Sequence, residues 1–130
     1  MKKKIKVIVI LSLITVIGLL FLSTGGKITN VMLNGYSMSK DDNVMTIKVG
    51  VASSIGYIRT FKASQDGNKK YITFYSTYGF NSNIGAKKEF QVELQPSCNE
   101  IYFYIGNNEY RLKLQKNSET NEWERIIFLE

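Results

Sequence analysis

A chain of 130 residues, 44% hydrophobic and 22% charged, has room for one modest domain and excludes a two-domain enzyme. Histidine is absent and cysteine occurs once, so counting alone excludes Ser-His and Cys-His catalysis, histidine-built zinc sites and an intrachain disulfide. The net charge of +6 does not mark a nucleic-acid binder, because Lys2, Lys3, Lys4 and Lys6 hold four of the seventeen cations and the other thirteen are set against eleven carboxylates.

The first element is a leader over residues 1–26: a lysine-rich start, an uncharged apolar run over residues 7–22, then small residues. That is the plan of a secretory signal or of an uncleaved membrane anchor. The 16-residue run exceeds a usual signal core of roughly 7 to 15 residues and falls short of the ~20 of a full span. Ile5, a snorkelling Lys6 and residues 23–26 are expected to extend it, so that residues 5–26 meet the lipid bilayer as an anchor. Ser23 and Gly25 also stand at the spacing of a cleavage site before Gly26, which keeps a secreted product as the alternative. The lysine asymmetry places the N-terminus in the cytoplasm and residues 27–130 outside.

From Lys27 onward alternation replaces the helical period. Met45, Ile47, Val49 and Val51 alternate with Thr46, Lys48 and Gly50, and Phe90, Val92 and Leu94 alternate with Glu89, Gln91 and Glu93. Tyr110, Leu112 and Leu114 share one parity against Arg111, Lys113 and Gln115, and residues 101–105 read apolar on one parity and tyrosine on the other. Asp66-Gly67 suits a type I′ hairpin turn between residues 57–64 and 69–77, and Gly106-Asn107-Asn108 turns the chain between residues 101–105 and 109–115. A last strand is expected over residues 123–128. Pro96 falls just beyond an alternating run. The expectation is an all-β fold: an antiparallel, immunoglobulin-like sandwich of seven or eight strands over residues 27–130, with a small closed barrel as the alternative.

The stretches over residues 67–75 and 99–104, with the lysine-rich leader before them, resemble small uncharacterised exported, membrane-anchored proteins of low-GC Gram-positive bacteria. The resemblance implies a compartment and a fold, and no activity.

The chemistry-bearing motifs are few. Ser37-Met38-Ser39-Lys40 matches a Ser-x-x-Lys pattern without the Ser-Asp-Asn and Lys-Thr-Gly partners that chemistry needs, so it reads as loop. Asp41-Asp42-Asn43 lacks the spacing of a calcium loop and reads as a turn. Glu89 and Glu93 share a strand face, which admits a glycosidase-like carboxylate pair but is explained by solvation. Cys98 has no neighbour to lower its pKa and reads as an inert thiol.

Tyrosine is the informative residue. If Ile101, Phe103 and Ile105 face the core, Tyr102 and Tyr104 face outward, and Tyr71 and Tyr75 do the same relative to Ile72 and Phe74. These four tyrosines are the candidate binding surface, for a cell-wall glycan or a membrane protein; the alternative is that they stiffen the sheet by cross-strand packing. The expected function is a non-catalytic extracytoplasmic binding or interaction module at the membrane, with no cofactor, metal or nucleic-acid partner. A secreted form of the module, a small carboxylate-dependent enzyme and a structural envelope component stay open.

Overall fold

The computed structural model describes residues 2–22, 24–52, 56–77, 83 and 85–127. One helix, α1 (Lys2–Leu22), precedes nine strands among these residues: β1 (Thr24–Ile28), β2 (Val31–Met38), β3 (Val44–Val51), β4 (Ile58–Asp66), β5 (Lys69–Thr77), β6 (Glu89–Glu93), β7 (Glu100–Gly106), β8 (Glu109–Lys116) and β9 (Trp123–Arg125). The chain is mostly β, as the alternation predicts. Seven or eight strands were expected, and the additional ones lie before residue 45, where no regular alternation is legible.

The strands form two sheets. In the three-stranded sheet, β3 lies between β2 and β6, all antiparallel. In the six-stranded sheet β5 is central. One of its edges is covered by β4 along the whole strand; the other is divided, with residues 69–72 pairing to β7 and residues 74–77 to β1. The β5–β7 pair is parallel, which corrects the expectation of purely antiparallel pairing. The chain leaves β5 and crosses to the other sheet as β6 before it returns as β7, and a parallel neighbour needs such a long crossover. β8 and β9 extend the sheet beyond β7.

Both sheets turn one face to a shared core. Met45, Ile47, Val49, Phe90 and Val92 from one sheet meet Ile72, Phe74, Ile101, Phe103 and Leu114 from the other in a single buried cluster. Phe74 and Phe90 touch across it with ring centroids 5.9 Å apart. Two hydrogen bonds close the rim: the Tyr36 hydroxyl donates to the Trp123 carbonyl at 2.8 Å, and the Lys70 ammonium donates to the Glu93 carbonyl.

Bulges make the inward pattern irregular. In β2, Val31 and Leu33 face the core, Asn34 is an extra residue relative to β3, and beyond it Tyr36 and Met38 pack inward. The parity switches in mid-strand. In β8, Leu114 pairs with Ile101 but Leu112 pairs with Tyr102, so Lys113 is extra. Leu114 is fully buried while Tyr110 and Leu112 are turned to the opposite face. The expectation that Tyr110, Leu112 and Leu114 share one face is thereby corrected. Ile105 is likewise extra, next to the Gly106–Glu109 pair, and is half-buried rather than core.

Turn chemistry decides the hairpins. Asn107 and Asn108 both have positive φ, as a two-residue type I′ loop demands. Between β4 and β5 the loop is Gly67-Asn68, and only Gly67 has positive φ (62°). One positive φ, at the first central residue, marks a type II′ turn rather than the expected type I′ centred on Asp66-Gly67.

Among the described residues no helix is long and apolar enough to cross a membrane. The expected extension of the leader helix through residues 24–26 is overturned, because Thr24, Gly25 and Gly26 belong to β1, where Thr24 pairs with Thr77 of β5 and the two glycines lie in a register shift. Two glycines each cost a helix about 1 kcal/mol relative to Ala, and Thr24 favours a strand. The proposed domain start at residue 27 therefore falls inside this strand, while Ser23 of the cleavage motif and the 128 end of the last strand lie outside the described residues.

Candidate functional site

The face of the six-stranded sheet opposite the core carries a chain of rings. Tyr71 and Tyr102 sit side by side on the parallel β5 and β7 and stack, with centroids 5.2 Å apart at 26°. Tyr110 meets Tyr71 edge-on at 5.0 Å, and Tyr104 meets Tyr110 at 5.5 Å. Four tyrosines from three strands thus form one contiguous strip. The two devices that assemble it are the parallel pairing, which sets Tyr71 beside Tyr102, and the Lys113 bulge, which turns Tyr110 outward to join them.

Tyr75, the remaining candidate, lies on the same face two residues past Thr73 and, among the described residues, has no ring contact to the other four. It packs instead beneath Lys62, whose ammonium is 5.3 Å from its ring centre. Lys27 stands 5.2 Å over Tyr104, and Lys69 5.9 Å over Tyr102 at the other end. Lysine over a tyrosine face is held by the ring quadrupole and keeps its charge in water. Tyr110 was missed as a candidate because its parity in the sequence places it with Leu114, and no glycine marks the bulge that reverses it.

Tyr71, Tyr102 and Tyr104 are half-buried in the strip and Tyr110 is exposed. Tyr102 donates to the Glu100 carboxylate at 3.0 Å; burial, followed by this bond and the carboxylate charge, raises its pKa above the ordinary value. Thr73, beneath the rings, is 8% exposed and lies 3.4 Å from the Tyr110 hydroxyl. Burial, with Arg111 behind it, lowers the Lys113 pKa at the bulge.

The other motifs are placed as follows. Ser37 and Met38 end β2, and Ser39 and Lys40 enter the β2–β3 loop, so the Ser-x-x-Lys pattern does not sit at a helix start. Ser39 organises that loop: its hydroxyl donates to the Asn43 side-chain oxygen at 3.2 Å and accepts from the Val44 amide at 3.2 Å. Asp42 takes positive φ in the same turn. Glu89 and Glu93 are exposed on β6, four residues apart. At ~3.3 Å per residue they are ~13 Å apart along the strand, beyond the ~5 to 9.5 Å of a glycosidase pair. Cys98 is buried, its thiol 3.7 Å from the Glu100 carbonyl, and burial raises its pKa. A cleft of about 450 Å³ lies away from the strip, lined by Val49, Val51, Tyr57, Ile58, Lys87 and Lys88 among others; its ionisable groups are two lysines and a tyrosine.

No known protein family, no curated protein and no solved structure matches this chain.

Proposed function

We propose that this chain is an exported, non-catalytic binding module held at the membrane by α1, and that the tyrosine strip is its binding surface. The observation that carries the reading is the ring cluster of Tyr102, Tyr71, Tyr110 and Tyr104, each ring 5.0 to 5.5 Å from the next, one contiguous aromatic surface on an outer sheet face. A flat aromatic surface edged with hydroxyls and lysines suits a sugar ring or a partner's rim, since tyrosine loses little entropy on contact. An immunoglobulin-like sandwich is the finer reading of the fold, supported by two sheets sharing one core.

Export is supported by the lysines that open α1 and by its large apolar side chains, exposed from Ile5 to Leu19. Retention of the leader is favoured over cleavage before Gly26 by the packing of Gly25. A Cβ there would collide with the Ser76 hydroxyl and approach the Thr77 carbonyl to 2.7 Å, so residue 25 is fitted into the sheet and not a disposable tail.

A second reading is favoured by the half-burial of Tyr71, Tyr102 and Tyr104: the rings stiffen the sheet and bind nothing. Titration of soluble cell-wall glycan fragments into the labelled protein, with the tyrosine ring signals followed by NMR, separates the two. Shifts confined to Tyr71, Tyr102, Tyr104 and Tyr110, abolished in Tyr71→Ala with the fold intact, support binding. Unchanged rings would leave the stiffening role.

A further inference from the structure

We propose that the outer sheet face at one end of the strip, Tyr104 with Lys27 over it and the neighbouring Tyr75 with Lys62, seats on anionic headgroups of the membrane that holds α1. This rests on the export reading above. Its first support is tether length. α1 ends at Leu22 and β1 begins at Thr24, so a single residue separates them. The uncharged run of α1, residues 7–22, is ~24 Å long at 1.5 Å per residue against a hydrocarbon core of ~30 Å. A helix shorter than the core is accommodated by thinning the bilayer and drawing its flanks inward. The start of β1 is therefore held at the headgroup layer and not above it.

Register then decides which part of the outer sheet face lies nearest that layer. Thr24 pairs with Thr77 and Lys27 with Tyr75, so Lys27 lies three residues along β1 and Tyr75 two residues along β5 from the tethered start of the strand, within ~10 Å of it. Tyr71 lies six residues up β5 from Thr77, ~20 Å away. The strip thus has a membrane end and a distal end. At the membrane end two ammonium groups stand over two rings, Lys27 over Tyr104 and Lys62 over Tyr75. Glu109, beside Tyr110 in sequence, is the carboxylate of the neighbouring hairpin tip. Tyrosine and lysine together are the composition of interfacial anchors, the rings sitting at headgroup depth and the cations on anionic lipid. At the distal end, Tyr102 spends its hydroxyl on the Glu100 carboxylate, which offsets the Lys69 ammonium over the same ring. The seated module presents that end to the exterior.

The test uses the full chain in nanodiscs, zwitterionic or with anionic lipid added, carrying a gadolinium chelate on the headgroups. Relaxation enhancement at the amides of Tyr75 and Tyr104, absent at Thr46 and Val92 of the other sheet, is expected with anionic lipid. Each lysine near such a surface contributes ~1 kcal/mol, so the double variant K27E/K62E should lower the docked-to-free ratio by at least ~30-fold. No enhancement, or equal enhancement on both sheets, overturns the proposal. A strip that responds to a soluble acidic polysaccharide and not to anionic lipid also overturns it, assigning the lysines to a glycan. A label on the lipid chains keeps the two readings apart. If Ile10 and Ile14 are not broadened, α1 is not inserted and the export reading falls; if they are broadened and Tyr75 stays silent, docking alone falls.

Discussion

The outer faces of the two sheets differ although their inner faces fill the same core. On the three-stranded sheet the outward residues Lys48, Glu89, Gln91 and Glu93 are exposed, with Lys48 and Glu89 paired in register. On the six-stranded sheet the outer face carries tyrosines that cover one another, with Thr73 buried beneath them. Solvation accounts for the first face. It does not account for the second, where large rings are arranged side by side across strands that are distant in sequence.

Truncations set the scale of that difference. Phe103→Ala should cost about 3 to 5 kcal/mol in urea unfolding, because Phe103 is fully buried and packs against Phe74 at 5.0 Å. Tyr71→Ala removes two ring contacts from the outer face and should cost about 1 to 3 kcal/mol, each aromatic pair contributing ~0.5 to 1.5. Tyr104→Ala should cost ~0.2 to 1 kcal/mol, the range of a cross-strand pair. Gln91→Ala, on the other sheet's outer face, should stay within about 0.5 kcal/mol. If Tyr71→Ala matched Gln91→Ala, the two outer faces would be energetically alike and the comparison would break.

Alkaline pH sharpens it further. Tyr102 and Cys98 both have pKa values raised by burial, from about 10 and 9 respectively. The unfolded chain loses these protons first, so stability should fall as pH rises through 9 for Cys98 and through 10 for Tyr102. Tyr102→Phe should flatten the later part of that fall and Cys98→Ala the earlier part, read as melting temperature against pH. A profile unchanged in Tyr102→Phe would show that its hydroxyl is as free as one on an ordinary solvated face.

Much of this was legible where strands are regular. Met45, Ile47 and Val49, and Phe90 and Val92, alternate without interruption, and their burial follows the alternation. What stayed hidden was the effect of single inserted residues. Asn34 splits the inward set of β2 into Val31 and Leu33 before it and Tyr36 and Met38 after it, so no period of two runs through the strand. Lys113 does the same in β8 and sends Tyr110 to the outer face. A bulge without glycine has no composition signal, and its position is set by the partner strand. β1 was hidden for another reason: Gly25 and Gly26 have no side chains to alternate, and the strand is defined by its pairing and by the space at Gly25.

The divided edge of β5 makes the N-terminal strand a plug. While β1 is in place, residues 74–77 of β5 have a partner on that side. A chain clipped beyond β1 would open the lower half of the sheet's central strand, with amides and carbonyls set for another strand of matching length. The nearest donor in a concentrated solution is the β1 of a neighbouring intact copy, so partial proteolysis should produce strand-exchanged assemblies and then aggregates.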